Sequence, residues 1–260
     1  MKFTGEQLQR YRRHISLPEI GKQGQKKLLE AKVFIVGIGG LGSPVGYYLS
    51  AAGVGTIALV DNDKVALSNL QRQIVHNTTT LGKPKVESAK ITFQTLNPDV
   101  TVIPIQQKLT KNNIIDLIND YDIVVDCTDN FATRFLVNDA CVMVKKPLVT
   151  GAVHKFEGQL TVVMPGKGAC YRCLFEEPPP PDVVTSPQDI GLLGVISGVI
   201  GTLQATEVLK LIAGFGEVLI GELLVYDALN PSFRKIKIPK NPECPVCSNN
   251  PTITELIDYS

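Results

Sequence analysis

The sequence Val33-Phe34-Ile35-Val36-Gly37-Ile38-Gly39-Gly40-Leu41-Gly42 decides the fold, because it leads a short apolar run directly into a glycine-rich turn. The apolar run predicts a buried strand, and the residues after Gly42 predict a helix. Gly37 permits a tight turn, while Gly42 lets the helix lie close to the sheet. Gly39 and Gly40 carry no side chain that would keep a phosphate away from the backbone. The N–H groups and positive dipole at the helix start face this turn, which predicts a nucleotide-binding site.

An acidic residue follows the second predicted strand. The run Thr56–Val60 is apolar, and Asp61 ends it 19 residues after Gly42. An acid in this place can accept hydrogen bonds from a ribose. The glycine turn and Asp61 alone permit a nicotinamide or flavin dinucleotide fold, so an NAD(P)-dependent oxidoreductase is one hypothesis for the function.

Predicted strands and helices alternate after the glycine turn, which favours the α/β class with a doubly wound, Rossmann-like, mainly parallel sheet. Ligands of such sheets bind beyond the carboxyl ends of the strands. Short strands from Gln159 onward predict a C-terminal antiparallel extension. The predicted helices are Gly42 to about Ala52, Lys85–Leu96, Asn112–Asn119, Phe131–Val144 and Ile190–Ile212, and the further parallel strands are Thr56–Val60, Val100–Ile105, Asp122–Asp126 and Pro147–Gly151.

The composition is that of a globular protein with a large core. The chain has 260 residues, of which 44% are hydrophobic and 20% are charged, and its formal net charge is +1. This near-neutral charge gives no general attraction to nucleic acid or to an anionic membrane, so neither partner is predicted. The N-terminus lacks the apolar segment of a signal peptide, which favours a cytoplasmic location.

Charged and amide side chains follow several predicted strands or begin predicted helices. The segment Leu67–Gln73 brings Arg72 close behind the second strand, and Lys85 begins a helix. Asp129 and Asn130 follow the fourth strand, so all these positions can converge on the edge that carries the glycine turn. An Arg, a Lys and a carboxylate for Mg²⁺ suit a nucleoside triphosphate, whereas a dinucleotide needs neither the Lys nor the metal-binding acid. Each charge alone would be interpreted as a solvated loop residue, but together they predict a triphosphate site.

Two Cys-x-x-Cys pairs predict a zinc site with four thiolate ligands. They are Cys170-Tyr171-Arg172-Cys173 and Cys244-Pro245-Val246-Cys247. Because Cys244 lies 71 positions after Cys173, the metal would staple the C-terminal part of the chain to its middle. The closed four-thiolate shell predicts a structural metal. The alternative is two redox pairs, but neither opens a helix after a strand as a thioredoxin-type motif does.

The other cysteines and the histidines give no sign of a catalytic centre. Cys127 and Cys141 lie in apolar surroundings, which indicates core residues. The three histidines, His14, His76 and His154, are scattered without metal-ligand spacing. Structural roles are therefore predicted for all of them.

An ordered set of motifs resembles the MoeB/ThiF/HesA family, the prokaryotic relatives of ubiquitin-activating enzymes. The resemblance runs from about Gln9 to Cys247. It implies a homodimeric adenylyltransferase that uses Mg-ATP to activate the C-terminal glycine carboxylate of a small ubiquitin-like sulfur-carrier protein ending in Gly-Gly, of the MoaD or ThiS type. The motifs that carry it are Gly37–Gly42, Asp61, Leu67–Gln73, Gly82–Lys85, Cys127–Asn130, Gly201–Ala205 and the two cysteine pairs.

The resemblance implies a role for each matching residue. Asp61 would hold the ribose, Asp129 would bind the magnesium, and Arg13, on an N-terminal arm, would act across the dimer on the γ-phosphate. The catalytic residues that it implies are Arg13, Arg72, Lys85 and Asp129. The nucleotide-binding residues that it implies are Gly37, Gly39, Gly40, Gly42, Asp61, Asp63, Ser68, Asn69, Leu70, Gln71, Arg72, Gln73, Lys85, Asp129 and Asn130.

One segment departs from the family pattern. Many members carry a cysteine before the long helix, whereas Asp182–Gly191 has Pro187 at that position. The departure disfavours a covalent thioester or acyl-persulfide step, and it favours an adenylate that is released to a separate sulfurtransferase. The sequence Pro178–Asp182 is proline-rich and predicts an extended surface loop.

The whole chain, residues 1–260, is predicted to form a single ThiF-type adenylation domain. Its parts would be an N-terminal helical arm (1–30), a nucleotide-binding core (31–158), and a region with the crossover loop, zinc site and carrier-binding part (159–260). Two further hypotheses are a tRNA-modifying dehydratase-like ATPase, which the near-neutral charge and the cysteine pairs disfavour, and a non-catalytic carrier-binding scaffold. The carrier could serve molybdopterin, thiamin, tRNA thiolation or cysteine synthesis.

Overall fold

The glycine turn joins a central strand of an eight-stranded sheet to a helix. The computed structural model of the protein describes residues 2–179 and 191–259. The strands are β1 (Lys32–Val36), β2 (Thr56–Val60), β3 (Thr101–Ile105), β4 (Ile123–Asp126), β5 (Leu148–His154), β6 (Glu157–Val163), β7 (Glu222–Asp227) and β8 (Ser232–Lys237). The helices are α1 (Gly5–Arg10), α2 (Arg12–Ile15), α3 (Gly21–Glu30), α4 (Gly42–Ala52), α5 (Lys85–Leu96), α6 (Ile114–Ile118), α7 (Phe131–Met143), α8 (Tyr171–Leu174) and α9 (Gly194–Ala213).

The order of the strands places a crevice beside β1. The sheet runs β3-β2-β1-β4-β5-β6-β7-β8. Strands β1 to β5 are parallel, and β6, β7 and β8 continue the sheet in antiparallel pairs, which confirms the predicted fold class. Strands β2 and β3 follow on one side of β1, and strands β4 to β8 follow on the other side. The direction in which successive strands are added to the sheet therefore reverses between β1 and β4. In open α/β sheets, ligands bind at such a switch point.

The register aligns the carboxyl ends of the three central strands. Val36 of β1 lies opposite Val60 of β2 on one side and opposite Asp126 of β4 on the other. The residues that follow these strand ends, Gly37, Asp61 and Cys127, therefore start at one edge of the sheet.

Both faces of the parallel strands are covered, which explains their continuous apolar sequences. In β1, Val33 and Ile35 point into a core shared with α4, α5 and α9, while Phe34 and Val36 point into a second core shared with α6 and α7. Helices on both faces fix the edge at which the strands end.

The long helix α9 belongs to the core. Among the described residues it is the one helix long and apolar enough to cross a membrane by length and composition alone. It nevertheless packs against α4, β5 and β6 and carries the buried polar residues Gln204 and Glu207. Gln204 Nε2 donates to the backbone oxygen of Asp126 (2.8 Å), so α9 is tied to the end of β4. The prediction of a core helix is confirmed, although the helix begins four residues later than expected.

The N-terminal segment packs on the body of the molecule. The buried Tyr11 lies between α1 and α2, and a Cβ atom at Gly53 would lie 2.5 Å from its ring. Arg10 donates to the backbone oxygen of Leu96 at the end of α5 (3.0 Å). The N-terminal helices therefore cover the ends of α4 and α5 that lie away from the glycine turn.

Candidate active site

The glycine turn has the close contacts that its sequence predicts. Gly37 has φ 86°, in the region that favours glycine, and leads out of β1. A Cβ atom at Gly42 would lie 2.1 Å from the backbone oxygen of Gly37, so any other residue would push the start of α4 away from the strand. The first N–H groups of α4 therefore stay directed at the turn, where an anion can bind them.

Asp61 holds the turn from the end of β2. The Ile38 N–H donates to Asp61 Oδ2 (2.8 Å), and the Asp63 N–H donates to Asp61 Oδ1 (2.8 Å). The carboxylate is half-buried, so it fixes the turn and still reaches solvent at the site. A carboxylate oxygen has a second lone pair, which leaves the predicted bond to a ribose hydroxyl feasible.

A lysine and an aspartate pair beside the turn. Lys85 is the first residue of α5, and its Nζ donates to Asp63 Oδ2 at 2.8 Å. The Lys85 side chain is 7% exposed and that of Asp63 is 60% exposed. Burial of the lysine stem fixes the place of its ammonium group, while the exposed carboxylate is free to turn away. The pair therefore offers a fixed cation for an incoming phosphate.

The segment 67–73 packs against the turn with Arg72. Its first residues form a short 3₁₀ turn over Leu67–Asn69, and Asn69 Oδ1 accepts from the Ala66 N–H (3.0 Å). Arg72 Nη1 donates to the backbone oxygen of Ser68 (3.1 Å), and its Cγ would lie 3.6 Å from a Cβ atom at Gly40. The structure thus brings Arg72 to the glycine turn.

The start of α9 closes the other side of the turn. A Cβ atom at Gly40 would lie 2.8 Å from Ser197 Oγ, and one at Gly39 would lie 3.5 Å from Gln73 Nε2. Ser197 Oγ and Gln73 Oε1 are both buried, and neither has a hydrogen-bond partner among the described residues. Buried polar atoms normally have partners. The unpartnered Ser197 Oγ therefore lies beside Gly40, and the side-chain amide of Gln73 lies beside Gly39 through its nitrogen.

The loop after β4 is built on a buried aspartate. Asp126 Oδ1 accepts from the N–H and the hydroxyl of Thr128 (3.0 and 2.7 Å), and Oδ2 accepts from the Thr150 hydroxyl (2.8 Å). Arg134 Nη1 lies 3.8 Å from Asp126 Oδ2 and compensates its charge. This network fixes the backbone that leads to Asp129, whose side chain is exposed.

Asn130 has a contact that the sequence did not predict, and Arg13 lies away from the glycine turn of its own chain. Asn130 is the N-cap of α7 and accepts from the Thr133 N–H (2.8 Å), so its side chain serves the helix. Arg13 lies exposed on α2, beyond the end of α4 that is remote from the turn. Since α4 has 11 residues, it separates the two ends by about 16 Å. Within one chain, Arg13 is therefore not brought to the glycine turn.

The four cysteines of the two pairs come together as predicted. Their sulfur atoms all lie within 4.8 Å of one another. Cys170 Sγ lies 3.6 Å from Cys244 Sγ, and Cys173 Sγ lies 3.4 Å from Cys247 Sγ. The hydrogen bond from Cys170 lowers the pKa of the Cys247 thiol, while the same hydrogen bond raises the pKa of Cys170 and burial raises that of Cys173. Four sulfurs at these distances could hold a metal ion.

A buried ion pair ties this cluster to α7. Arg172, between Cys170 and Cys173, donates from Nε and Nη2 to the two carboxylate oxygens of Asp139 (2.9 and 3.0 Å). Tyr259 near the C-terminus donates to Asp139 Oδ2 (2.7 Å). The side chains of Arg172 and Asp139 are 2% and 0% exposed. The C-terminal segment is thus fastened by this network as well as by the cysteines.

Replacement of Asp139 by alanine is expected to lower the free energy of unfolding by about 3–5 kcal/mol, because it leaves the Arg172 guanidinium buried without its counter-charge. Urea unfolding followed by circular dichroism measures the change. Lys235→Ala removes the exposed pair with Glu222 and is the matched control, with a much smaller expected loss because solvent screens this pair. Equal losses in the two variants would contradict this account of the pair.

Ser197, Asp126 and Gln204 are site residues that sequence reasoning missed. Ser197 lies on a helix that the sequence predicts as core, Asp126 ends a strand that it predicts as buried, and Gln204 falls in the family motif Gly201–Ala205, to which no role is assigned. The one available signal was the polar residues inside the apolar run of α9, at Ser197, Gln204 and Glu207. Buried polar groups need partners, so such residues mark places where a helix meets strand ends or a ligand.

Comparisons with known proteins show the family of this chain. The model of the ThiF family matches residues 11–246. The chain is 48% identical to the sulfur carrier protein adenylyltransferase of Thermus thermophilus over 264 residues, which cover 100% of this chain and 97% of that protein. It is 51% identical to adenylyltransferase and sulfurtransferase MOCS3 of Culex quinquefasciatus over 259 residues, which cover 99% of this chain and 59% of that protein. The chain thus spans less than two thirds of MOCS3.

Solved structures share the fold. Escherichia coli MccB with ATP has a TM-score of 0.77 at 26% identity, covering 86% of this chain and 69% of that chain. MccB with succinimide has a TM-score of 0.80 at 25% identity, covering 92% and 74%. The predicted family and the adenylyltransferase class are confirmed by these similarities, which leave the oxidoreductase hypothesis without support. The chain belongs to the ThiF family.

Proposed function

We propose that this chain adenylates the C-terminal glycine carboxylate of a small ubiquitin-like sulfur-carrier protein, using Mg-ATP and releasing pyrophosphate. The observation that carries the proposal is the arrangement of Arg72, Ser197 and the Gln73 amide around the glycine turn, together with Lys85, which pairs with Asp63 after the neighbouring strand. The 48% identity over the whole chain to a sulfur carrier protein adenylyltransferase supports the substrate class.

The nucleotide would lie across the aligned strand ends. The N–H groups of the glycine turn and of the start of α4 would bind phosphate oxygens, and Asp61 would accept from the ribose. Lys85 and Arg72 would bind the outer phosphates, Lys85 as a fixed point charge and Arg72 through its planar fork. Ser68, Asn69, Leu70, Gln71 and Gln73 would line the same side of the triphosphate.

The reaction needs no protein nucleophile. A carboxylate oxygen of the carrier attacks the α-phosphorus, and the bond from that phosphorus to the bridging oxygen breaks. The electron pair leaves with pyrophosphate, so the products are an acyl adenylate and pyrophosphate, and no proton is transferred. The chain contributes positioning and neutralisation of the charge that develops on the leaving group.

Asp129 would hold a magnesium ion. Its carboxylate is exposed at the end of the loop that the Asp126 network fixes, and carboxylate oxygens are ligands that Mg²⁺ prefers. Bound there, the ion would supply positive charge to the phosphates. Asn130, next to Asp129, caps α7 and would contribute by fixing the position of the loop that carries Asp129.

The adenylate would be released and not transferred to a cysteine of the described chain. Burial raises the pKa of the Cys127 and Cys141 thiols, which makes both poor nucleophiles at neutral pH. Pro187, which occupies the position of the family cysteine, lies outside the described residues. Sulfur would then come from a separate sulfurtransferase.

Two further parts of the proposal concern assembly. In a homodimer, Arg13 would contact the γ-phosphate of the ATP bound to the partner subunit. In its own chain, Arg13 lies at the end of α4 that is remote from the glycine turn. The four-cysteine cluster would bind one Zn²⁺ as a structural metal, because four thiolates leave no open position for catalysis. It would fasten the C-terminal segment beside α8.

The proposal is tested by ATP–pyrophosphate exchange with a panel of purified carriers that end in Gly-Gly. We expect exchange that depends on one carrier and is lost when its terminal glycine is removed. The carrier that stimulates exchange identifies the pathway. Carrier binding without exchange would instead favour a scaffold, and exchange stimulated by tRNA would favour a tRNA-modifying ATPase.

A further inference from the structure

His76 connects three parts of the candidate site. It is 5% exposed and lies just after the segment 67–73. Its Nε2 lies 3.0 Å from the backbone oxygen of Ile38 in the glycine turn, and its Nδ1 lies 2.9 Å from Ser88 Oγ on α5. The backbone N–H of His76 donates to the backbone oxygen of Gln73 (3.1 Å).

Both backbone groups of Ile38 are held, and each belongs to a different peptide unit of the turn. The Ile38 N–H donates to Asp61 Oδ2 (2.8 Å), while its carbonyl faces the imidazole of His76. Because the Ile38 carbonyl belongs to the same peptide plane as the Gly39 N–H, holding this carbonyl fixes the direction of that N–H. The N–H groups that follow would face the phosphates of the nucleotide.

We infer that His76 is a positioning residue that holds the glycine turn in its phosphate-binding conformation and sets its distance from Lys85. The inference rests on the proposed function, because it assigns to the histidine a role in that nucleotide site. His76 touches no substrate atom in this account.

The hydrogen bonds fix the tautomer. A backbone oxygen only accepts, so Nε2 carries the proton and donates to Ile38, and Nδ1 accepts from the Ser88 hydroxyl. Burial lowers the pKa of His76, and the nearby Lys85 charge lowers it further, while the Ile38 carbonyl and Asp61 oppose this shift. The imidazole is therefore neutral at neutral pH and adds no charge beside the lysine.

Ser88 extends the connection to the phosphate-binding lysine. Ser88 and Lys85 lie on α5 three residues apart, which places them on neighbouring turns of one helix face. A shift of His76 would therefore move the glycine turn relative to the ammonium group. The lysine and the turn must bind one triphosphate together, so such a shift weakens nucleotide binding.

The test is the KM for ATP in carrier-dependent pyrophosphate exchange, with ATP binding measured alongside by calorimetry. His76→Leu removes both hydrogen bonds, and we expect KM and Kd to rise by about tenfold with kcat changed by less than about threefold. His76→Gln can donate to Ile38 and accept from Ser88, and it should stay within about threefold of the wild type. Ser88→Ala, which removes one partner, should raise KM by about threefold and is the fallback if the leucine variant does not fold.

Asn97→Leu is the matched control. Asn97 is buried and donates two hydrogen bonds, to Tyr11 Oη (2.9 Å) and to the Ser50 backbone oxygen (2.8 Å), at the opposite end of α5. We expect it to lower the Tm as His76→Leu does while KM stays unchanged. Unchanged KM and Kd for both His76→Leu and Ser88→Ala, or equal effects of Asn97→Leu, would overturn the inference. Absence of exchange in the wild type would contradict the proposed function instead, and the calorimetric Kd values would still decide the role of His76.

Discussion

Replacement of Asp129 by alanine is expected to reduce carrier-dependent ATP–pyrophosphate exchange by at least about 10²–10³-fold. The carboxylate would bind the magnesium ion that neutralises the leaving pyrophosphate, and no neighbouring acid is assigned this role. The measurement is the exchange rate at saturating ATP and carrier. Because Asp129 is exposed, the Tm should change little.

Asp120→Ala is the matched control for this variant. Asp120 lies exposed three residues before β4, as Asp129 lies three residues after it, so the two carboxylates stand at opposite ends of one strand. The control should keep wild-type exchange. Full exchange in Asp129→Ala would remove this residue from the mechanism.

Loss of one cluster cysteine is expected to have the largest effect on stability. Cys244→Ser should abolish stoichiometric zinc binding, lower the Tm strongly and expose the C-terminal segment to protease. The reason is that the cluster joins the C-terminal segment to the start of α8, and binding of a structural zinc stabilises the fold directly. Metal analysis of the purified chain and differential scanning calorimetry measure the two effects.

Cys141→Ala is the control that distinguishes the effect of losing the metal from the effect of losing core packing. Cys141 is fully buried in the core beside α6 and β4, and it takes no part in the cluster. This variant should lose some stability from its small cavity and keep one zinc per chain. A structural zinc site would be contradicted if Cys244→Ser kept the zinc content of the wild type. It would also be contradicted if the wild-type protein were purified without zinc and a chelator did not change its Tm.

The elements that the sequence predicted most closely are those with clear local signals. Thr56–Val60 and Lys85–Leu96 have the predicted bounds, because the first is an apolar run between Gly55 and Asp61 and the second follows Pro84. The start of α9 was predicted too early. Leu192 and Leu193 continue the apolar pattern, but they extend along Lys155, whose oxygen accepts from the Leu193 N–H (3.1 Å).

The candidate site was predicted as a set of residues and not as a set of contacts. The alignment of strand ends explains why the glycine turn, Asp61 and the loop before Asp129 meet, and that alignment follows from a parallel sheet. The pairing of Lys85 with Asp63, the approach of Ser197 to Gly40 and the hydrogen bond of His76 to Ile38 join residues far apart in sequence. Such contacts depend on tertiary packing, which local patterns do not encode.

The most direct test of the central claim is the mass of the carrier after incubation with Mg-ATP and this chain. Attack on the α-phosphorus predicts a carrier that gains one AMP at its C-terminus, together with one pyrophosphate. Hydroxylamine should remove the AMP, because an acyl adenylate is an activated acyl group. A carrier that gains one phosphate with release of ADP, or an unmodified carrier with full turnover of ATP, would contradict the account.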